Sequence, residues 1–156
     1  MSIPTDLTTS YPPKLGRILI CESYPGMRDV FDLTLRKHYE LAFTKKPSEI
    51  LSLLRQYSFH MVIWDLDGEG NPLAILREVR QFYPNLEILL VAGEFSLAFQ
   101  ESVVKQCGLV GFLWKPWSPS SAVAEQVQVM LGDRKSSLRK WTLRIPCTSS
   151  QEPACP

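Results

Sequence analysis

Between residues 15 and 132, short apolar runs alternate with stretches in which apolar residues recur at helical spacing. The short runs predict five strands at 17–21, 39–44, 60–65, 86–92 and 109–114. The periodic stretches predict five helices at 27–37, from 47 to about 57, and at 71–82, 96–107 and 118–131. Strands of nearly unbroken Ile, Leu and Val are buried on both faces, which requires helices on both sides of a parallel sheet. The pattern therefore predicts an α/β, doubly wound (βα)5 sandwich.

Right-handed crossovers between these units leave few possible strand orders. We predict a flavodoxin-like parallel sheet in the order 2-1-3-4-5, with helices one and five on one face and the other three on the opposite face. Residues 15–132 form this domain. The flanking segments hold six of the twelve prolines. We therefore expect a flexible N-terminal segment over 1–14 and a basic, Pro- and Ser-containing tail over 133–156.

Charge is unevenly distributed along the chain, although the net charge is only +1. Residues 1–133 carry 12 basic and 15 acidic groups, a charge of −3, whereas 134–156 carry 5 basic and 1 acidic, a charge of +4. A mildly acidic body argues against direct nucleic-acid binding. No apolar run approaches the ~18 residues of a membrane span, and the polar start does not resemble a secretory signal. We therefore expect a cytoplasmic protein with four reduced cysteines and no membrane association.

Three charged residues follow strands whose carboxyl ends meet at one edge of the predicted sheet. Glu22 ends strand one, Asp65 ends strand three and Lys115 follows strand five. Ligands of open parallel sheets bind at this edge. A divalent cation between Glu22 and Asp65 would neutralise their repulsion, and Lys115 could contact a phosphoryl oxygen. The alternative is that all three are ordinary solvated charges at strand ends.

Three segments resemble the receiver domains of response regulators in two-component signalling. RILICESYPGMR is similar to their first strand, FHMVIWD to their third, and KQCGLVGFLWKP to their fifth. The resemblance implies that Asp65 is the phosphoacceptor, which takes a phosphoryl group from a histidine kinase or a phosphotransfer protein. It also implies that Mg²⁺ bridges the acids and the phosphoryl oxygens, that Lys115 pairs with the phosphoryl group, and that the Lys115–Pro116 peptide is cis. No enzyme activity is expected beyond self-catalysed phosphotransfer to Asp65.

The chain departs from the family pattern at several positions. Ser23 replaces the second acid of strand one, which should weaken Mg²⁺ binding. Ala92 replaces the hydroxyl residue that ends strand four, and LDGEGN replaces a Met-Pro turn. In the family that hydroxyl couples phosphorylation to rotation of the strand-five aromatic, here Phe112. Asp67 is either a further metal ligand that restores part of the missing charge or a turn residue of an Asp-Gly pair.

These departures predict an atypical receiver with weak or absent phosphorylation-driven switching, which acts through protein–protein interaction. The resemblance places a downstream partner on the face of helix four, strand five and helix five, and it leaves a homodimer open. Trp117 is a candidate contact residue on that face, whereas Trp64 and Trp114 alternate within strands and should pack against helices. A conventional response regulator, phosphorylated at Asp65, is the alternative.

A second alternative comes from another class of protein. VIWDLDG also resembles the first motif of haloacid-dehalogenase-type phosphatases, in which Asp65 would be the nucleophile and Asp67 the general acid/base. Lys115 and the segment VMLGDR resemble later motifs of that family. However, its first motif normally lies on the first strand, and here two βα units precede it. Residues 126–131 also fit a helix better than a strand.

Overall fold

The computed structural model describes residues 14–68 and 71–132, so the predicted flanking segments lie outside the described residues except for Lys14. Within these ranges, five strands alternate with five helices, as the hydrophobic pattern predicts. The elements are β1 Arg17–Cys21, α1 Pro25–Leu35, β2 Glu40–Thr44, α2 Ile50–Gln56, β3 Met61–Asp65, α3 Pro72–Phe82, β4 Glu87–Ala92, α4 Leu97–Cys107, β5 Gly111–Trp114 and α5 Ala122–Leu131. A 3₁₀ turn, Pro47–Glu49, precedes α2. No helix in the described part of the chain is long and apolar enough to cross a membrane.

All strand pairs in the sheet are parallel, and the order β2-β1-β3-β4-β5 confirms the prediction. The register brings the predicted site together. Cys21 of β1 lies opposite Trp64 of β3. Glu22 and Asp65, the next residue along each strand, therefore lie side by side at the carboxyl ends of the strands. β5 is the outermost strand on its side of the sheet and pairs with β4.

The sheet separates two apolar cores. Phe31 and Leu35 of α1 pack with Val123 and Val127 of α5 on one face. On the opposite face, α2, α3 and α4 bury the residues Ile50, Leu54, Leu76, Val79, Val103 and Cys107. Each fully buried large aliphatic or aromatic side chain contributes about 1.5–3 kcal/mol. The two cores therefore make both faces of the sheet interior, as the near-continuous apolar strands predict.

Capping residues mark the start of α3 and the end of α5. The side chain of Asn71 accepts a hydrogen bond from the N–H of Leu73 at 3.2 Å, which caps α3. Gly132 ends α5 with a φ of 54°, a conformation that favours glycine. Four residues predicted at the start of helix five are not helical. They form a loop that ends in a tight turn, where the N–H of Ala122 donates to the carbonyl of Pro119.

Arg80 holds the loops at the amino ends of β4 and β5. Its Nε donates to the carbonyl of Cys107 at 2.8 Å, and Nη1 donates to those of Pro84 and Leu86 at 2.8 Å. Its Nη2 donates to the carbonyl of Leu109 at 3.1 Å. β5 begins at Gly111, two residues later than predicted, and this guanidinium binds the Leu109 carbonyl just before the strand.

Candidate functional site

Lys115 lies between two carboxylates at the carboxyl ends of the strands. Its Nζ is 2.6 Å from Oδ2 of Asp65 and 2.7 Å from Oδ2 of Asp67. The side chain of Asp65 is 5% exposed and that of Asp67 is 47% exposed, so the lysine joins a buried acid to a solvated one. The N–H of Lys115 donates to the carbonyl of Ala92 at 2.8 Å, which extends the β4–β5 ladder and positions the lysine.

The turn after β3 fixes the carboxylate of Asp67 over the end of β4. Oδ1 of Asp65 accepts the N–H of Asp67 at 2.9 Å, which closes the turn. The carboxylate of Asp67 then accepts the N–H of Gly93, at 3.1 Å from Oδ2 and 3.3 Å from Oδ1. The ends of β3, β4 and β5 are thereby joined through one side chain.

Glu22 is a buried carboxyl group beside this network, with 4% of its surface exposed. Its Oε1 accepts the N–H of Tyr24 at 2.8 Å, whereas its buried Oε2 has no hydrogen-bond partner among the described residues. Burial and the neighbouring carboxyl of Asp65 raise the pKa of Glu22 to about 7, against the opposing effects of the Tyr24 N–H and Lys115. At neutral pH, Glu22 is therefore protonated in a large fraction of molecules.

The pKa of Asp65 moves in the opposite direction. Burial alone would raise it, but interactions with Glu22, Lys115 and the N–H of Asp67 outweigh burial and hold the pKa below its ordinary value. Burial opposes the charge of Lys115 too, yet its hydrogen bonds to both aspartates raise its pKa. Asp65 is thus an anion and Lys115 a cation at neutral pH, the charge states that phosphoryl acceptance at Asp65 requires.

The thiol nearest the site is not ionised. Burial, followed by the negative charges of Glu22, Asp65 and Glu49, raises the pKa of Cys21 to about 12. Because the thiolate is the reactive and metal-binding form, Cys21 does not compete with Asp65 as a nucleophile.

The donor set fits Mg²⁺ poorly. Glu22 and Asp65 offer two carboxylates, while Ser23 is exposed and carries no charge. The carboxylate of Asp67 is already bound by Lys115 and Gly93. Across residues 14–68 and 71–132, no group of three or more His, Cys, Asp or Glu side chains is arranged to hold a metal ion. Weak Mg²⁺ binding stays a prediction.

Phe112 belongs to an aromatic cluster that it forms with Phe95, Phe99 and Trp114, and Ala92, the other predicted switch residue, lies next to it. Ala92 is buried at the end of β4, and Phe112 is half buried on β5. The ring of Phe95 meets that of Phe112 edge-on, with centroids 5.1 Å apart, and that of Trp114 at 5.0 Å. The ring of Phe99 stacks on the other side of Phe95 at 6.4 Å. The loop between β4 and α4 is thereby attached to β5.

One tryptophan is placed differently from the sequence-based expectation, and a second stays a candidate contact residue. Trp117, the candidate contact residue, is half buried with its ring 5.8 Å from that of Phe31, in the core of α1 and α5. The expectation that Trp114 packs under a helix is wrong, since this residue is 45% exposed. Alternation in β5 misleads because β5 is an edge strand, and Trp114 at its end packs edge-on against Phe95, in the loop before α4. Trp64, in the sheet interior, is buried as predicted.

Two residues of the site were not found from the sequence. Gly93 contributes only its N–H, and its signal in the sequence is a glycine directly after a buried strand. Phe95 is an aromatic residue in a short polar loop, a combination that indicates a buried loop residue. The cis Lys115–Pro116 peptide implied by the resemblance is present.

Comparison with solved structures places this fold in a known class. An orphan response regulator of H. pylori superposes with a TM-score of 0.68 at 14% identity, over 76% of this chain and 99% of that one. The receiver domain of an HD domain-containing protein from Pseudomonas fluorescens gives 0.66 at 20% identity, over 74% and 93%. The Vibrio cholerae chemotaxis protein CheY4 gives 0.65 at 22% identity, over 73% and 97%. This chain therefore has the fold of response-regulator receiver domains. No protein-family model and no curated protein matches its sequence.

Two features of the structure argue against the phosphatase alternative. The motif with Asp65 and Asp67 follows the third strand in the chain, and two complete βα units precede it. The first three residues of the segment that resembles a later phosphatase motif, Val129–Leu131, are the last residues of the helix α5 rather than part of a strand. The position of the acids and this helix both favour the receiver interpretation.

Proposed function

We propose that this chain is a cytoplasmic signalling module with receiver architecture, which binds a protein partner and switches little or not at all on phosphorylation of Asp65. The observation that carries the proposal is the packing of Phe112. Its ring lies against Phe95 next to a strand end that carries Ala92 in place of a hydroxyl residue. The proposed partner surface is the face of α4, β5 and α5, where Trp114 is exposed.

Switching by phosphorylation requires two conformations of the domain that differ in their contacts with the phosphoryl group. A phosphoryl group shifts a conformational equilibrium only by as much as it interacts differently with the two conformations. The methyl group of Ala92 cannot donate a hydrogen bond to a phosphoryl oxygen, and Phe112 has no phenol group that could change partners. Edge-to-face aromatic contacts, worth about 0.5–1.5 kcal/mol each beyond area burial, favour the single arrangement in which Phe95 holds Phe112 and Trp114.

Asp65 nevertheless retains the charge and setting of an acceptor. An oxygen of its ionised carboxylate could attack phosphorus as the donor's histidine nitrogen leaves, and Lys115 would balance the added negative charge. Phosphorylation by a histidine kinase or a phosphotransfer protein is therefore compatible with the site. We propose no enzymatic turnover beyond this transfer.

The decisive experiment compares amide chemical shifts on the face of α4, β5 and α5 in three samples. These are the wild type, Asp65→Asn, and the wild type treated with beryllofluoride and Mg²⁺. We expect shifts confined to the strand ends around Asp65, with Phe112 and Trp114 unchanged. The coupling between site and face should lie below the ~1–3 kcal/mol typical of allosteric linkage.

A control separates absent coupling from absent binding. The amide of Gly93 or Lys115 must move on beryllofluoride addition, which shows that the mimic is bound, and must not move in Asp65→Asn. A large Asp65-dependent change at Phe112 and Trp114 would overturn the proposal and favour a conventional response regulator.

A further inference from the structure

Asp67 occupies a position that two donors from other strands create. Lys115 Nζ, which follows β5, is 2.7 Å from its Oδ2, and the N–H of Gly93, which follows β4, is 3.1 Å from the same atom. A Cβ built on Gly93 would lie 3.7 Å from Oδ2, so the carboxylate lies directly over the glycine. An ammonium group and a backbone N–H that converge on one point form a favourable environment for an anion.

We propose that the chain's own Asp67 carboxylate occupies, between Lys115 and the N–H of Gly93, the anion position at which a phosphoryl group would pair with Lys115. Asp67 then acts as an internal competitor of tetrahedral oxyanions, with inorganic phosphate as the simplest example. It replaces, in the resting protein, the contacts that an anion bound above Asp65 would otherwise make with these two donors.

The geometry explains why the competition is effective. The Asp67 backbone is held by the hydrogen bond from its N–H to Asp65 Oδ1, so its carboxylate stays beside both donors. A group tethered in this way acts at an effective concentration of at least about millimolar. A free oxyanion must displace it and must also approach the negative charge of Asp65.

The inference rests on the proposed acceptance of a phosphoryl group at Asp65, because it concerns the occupant of the same anion position, but it does not rest on the proposed partner binding. Removal of Asp67 leaves both donors in place, since Lys115 keeps its 2.6 Å contact with Asp65 and the N–H of Gly93 belongs to the backbone. The variant should therefore expose a site rather than destroy one. Asp67 is half exposed, so the fold does not rely on its side chain.

The test is a titration with inorganic phosphate in Mg²⁺-free buffer, followed by the amide resonance of Gly93. We expect Asp67→Ala to bind phosphate about tenfold more tightly than the wild type, a change of about 1.4 kcal/mol. Asp67→Asn, which removes the charge but keeps an oxygen acceptor, should bind with intermediate affinity. Adding Lys115→Met to Asp67→Ala should abolish the gain.

Glu94→Ala is the matched control. Glu94 is exposed, directly follows Gly93, and its removal changes the net charge by the same amount. We expect its phosphate affinity to stay within about twofold of the wild type. An equal gain in Glu94→Ala would reduce the effect to general electrostatics and overturn the proposal, as would equal phosphate affinity in wild type and Asp67→Ala. Neither result would bear on partner binding, so failure of this proposal can be distinguished from failure of the proposed partner binding.

Discussion

At each edge of the sheet a cation contacts oxygen atoms from several elements, but Lys115 and Arg80 contact different kinds of oxygen atom. At the carboxyl edge, where the strands end, Lys115 lies between the carboxylates of Asp65 and Asp67. At the amino edge, where β4 and β5 begin, Arg80 donates to four backbone carbonyls. Carboxylates titrate and can exchange one cation for another, whereas backbone carbonyls keep their charge and position. Lys115 can therefore exchange a carboxylate for an incoming ligand, whereas the contacts of Arg80 are suited to stabilise the fold.

The choice of cation matches this difference. The planar guanidinium of Arg80 presents its N–H groups in a fixed fork, which suits several carbonyls at fixed positions. The ammonium of Lys115 is a point charge with three rotatable donors on a flexible stem, so it can contact two carboxylates and can be redirected to an incoming anion. The comparison predicts that substitutions at the amino edge change stability most, whereas substitutions at the carboxyl edge change pH dependence and binding.

The largest effect is expected for Arg80→Ala. Its loss leaves four carbonyls without their charged donor, and burial has already lowered the pKa of Arg80 without removing its charge. We expect a loss of about 3–4 kcal/mol in the free energy of unfolding, measured in urea. Arg80→Lys should lose most of the same amount, because an ammonium cannot reproduce the fork.

Arg77→Ala is the matched control for this prediction. It removes the same residue type from an exposed position on the same helix, and its unfolding free energy should stay within about 0.5 kcal/mol of the wild type. If Arg80→Ala cost no more than Arg77→Ala, the amino edge would not be the stabilising edge.

The next effect is a pH dependence that arises at Glu22. Burial first, then Asp65, raises its pKa from 4.5 to about 7 in the folded protein. Between these values the folded state holds a proton that the unfolded state has released. The stabilisation is fully present below the unfolded pKa and is lost as the pH rises through the folded pKa. In metal-free buffer we expect the wild type to lose about 2 kcal/mol between pH 5 and pH 8.5 relative to Glu22→Gln.

Urea unfolding at a series of pH values measures this difference. Glu101→Gln removes a carboxylate from an exposed position on α4 and should run parallel to the wild type across the range. A constant difference between wild type and Glu22→Gln would show that Glu22 titrates normally despite its burial. The pH profiles of Asp65 and Lys115 do not interfere, because their pKa values are displaced below and above this window.

The sequence predicted the fold and the central pair of the site, but not the contacts that Asp67 makes beside that pair. Strand order and the meeting of Asp65 with Lys115 follow from apolar periodicity and from the geometry of parallel sheets. The pairing of Asp67 with Lys115 and Gly93 depends on a side-chain direction that no periodicity encodes. The position of Trp114 was misjudged because burial at the end of an edge strand depends on which neighbouring element covers it.

Mg²⁺ binding should respond to one charge at the carboxyl edge. Ser23→Asp adds a carboxylate next to Glu22, so a hard cation gains both a ligand and a unit of negative charge. We expect Mg²⁺ to bind about tenfold more tightly, close to 1.4 kcal/mol, in a titration followed by tryptophan fluorescence. Ser58→Asp, at an exposed position before β3 and thus at the amino edge, controls for added charge. Equal Mg²⁺ affinity in wild type and Ser23→Asp would refute the prediction.

The smallest effect should be the stability change in Asp67→Asn, which is the direct counterpart of Arg80→Ala. Asp67 makes an ion pair with Lys115 and accepts the N–H of Gly93, yet it is 47% exposed, so water screens the pair and solvates either residue after the substitution. Exposed ion pairs contribute about 0–1 kcal/mol, and the asparagine keeps an oxygen that can accept the Gly93 N–H. We expect a loss below about 1 kcal/mol in urea unfolding at pH 7, close to that of the control Glu94→Gln. A loss as large as that of Arg80→Ala would make the carboxyl edge structural as well, and the distinction between the two edges would fail.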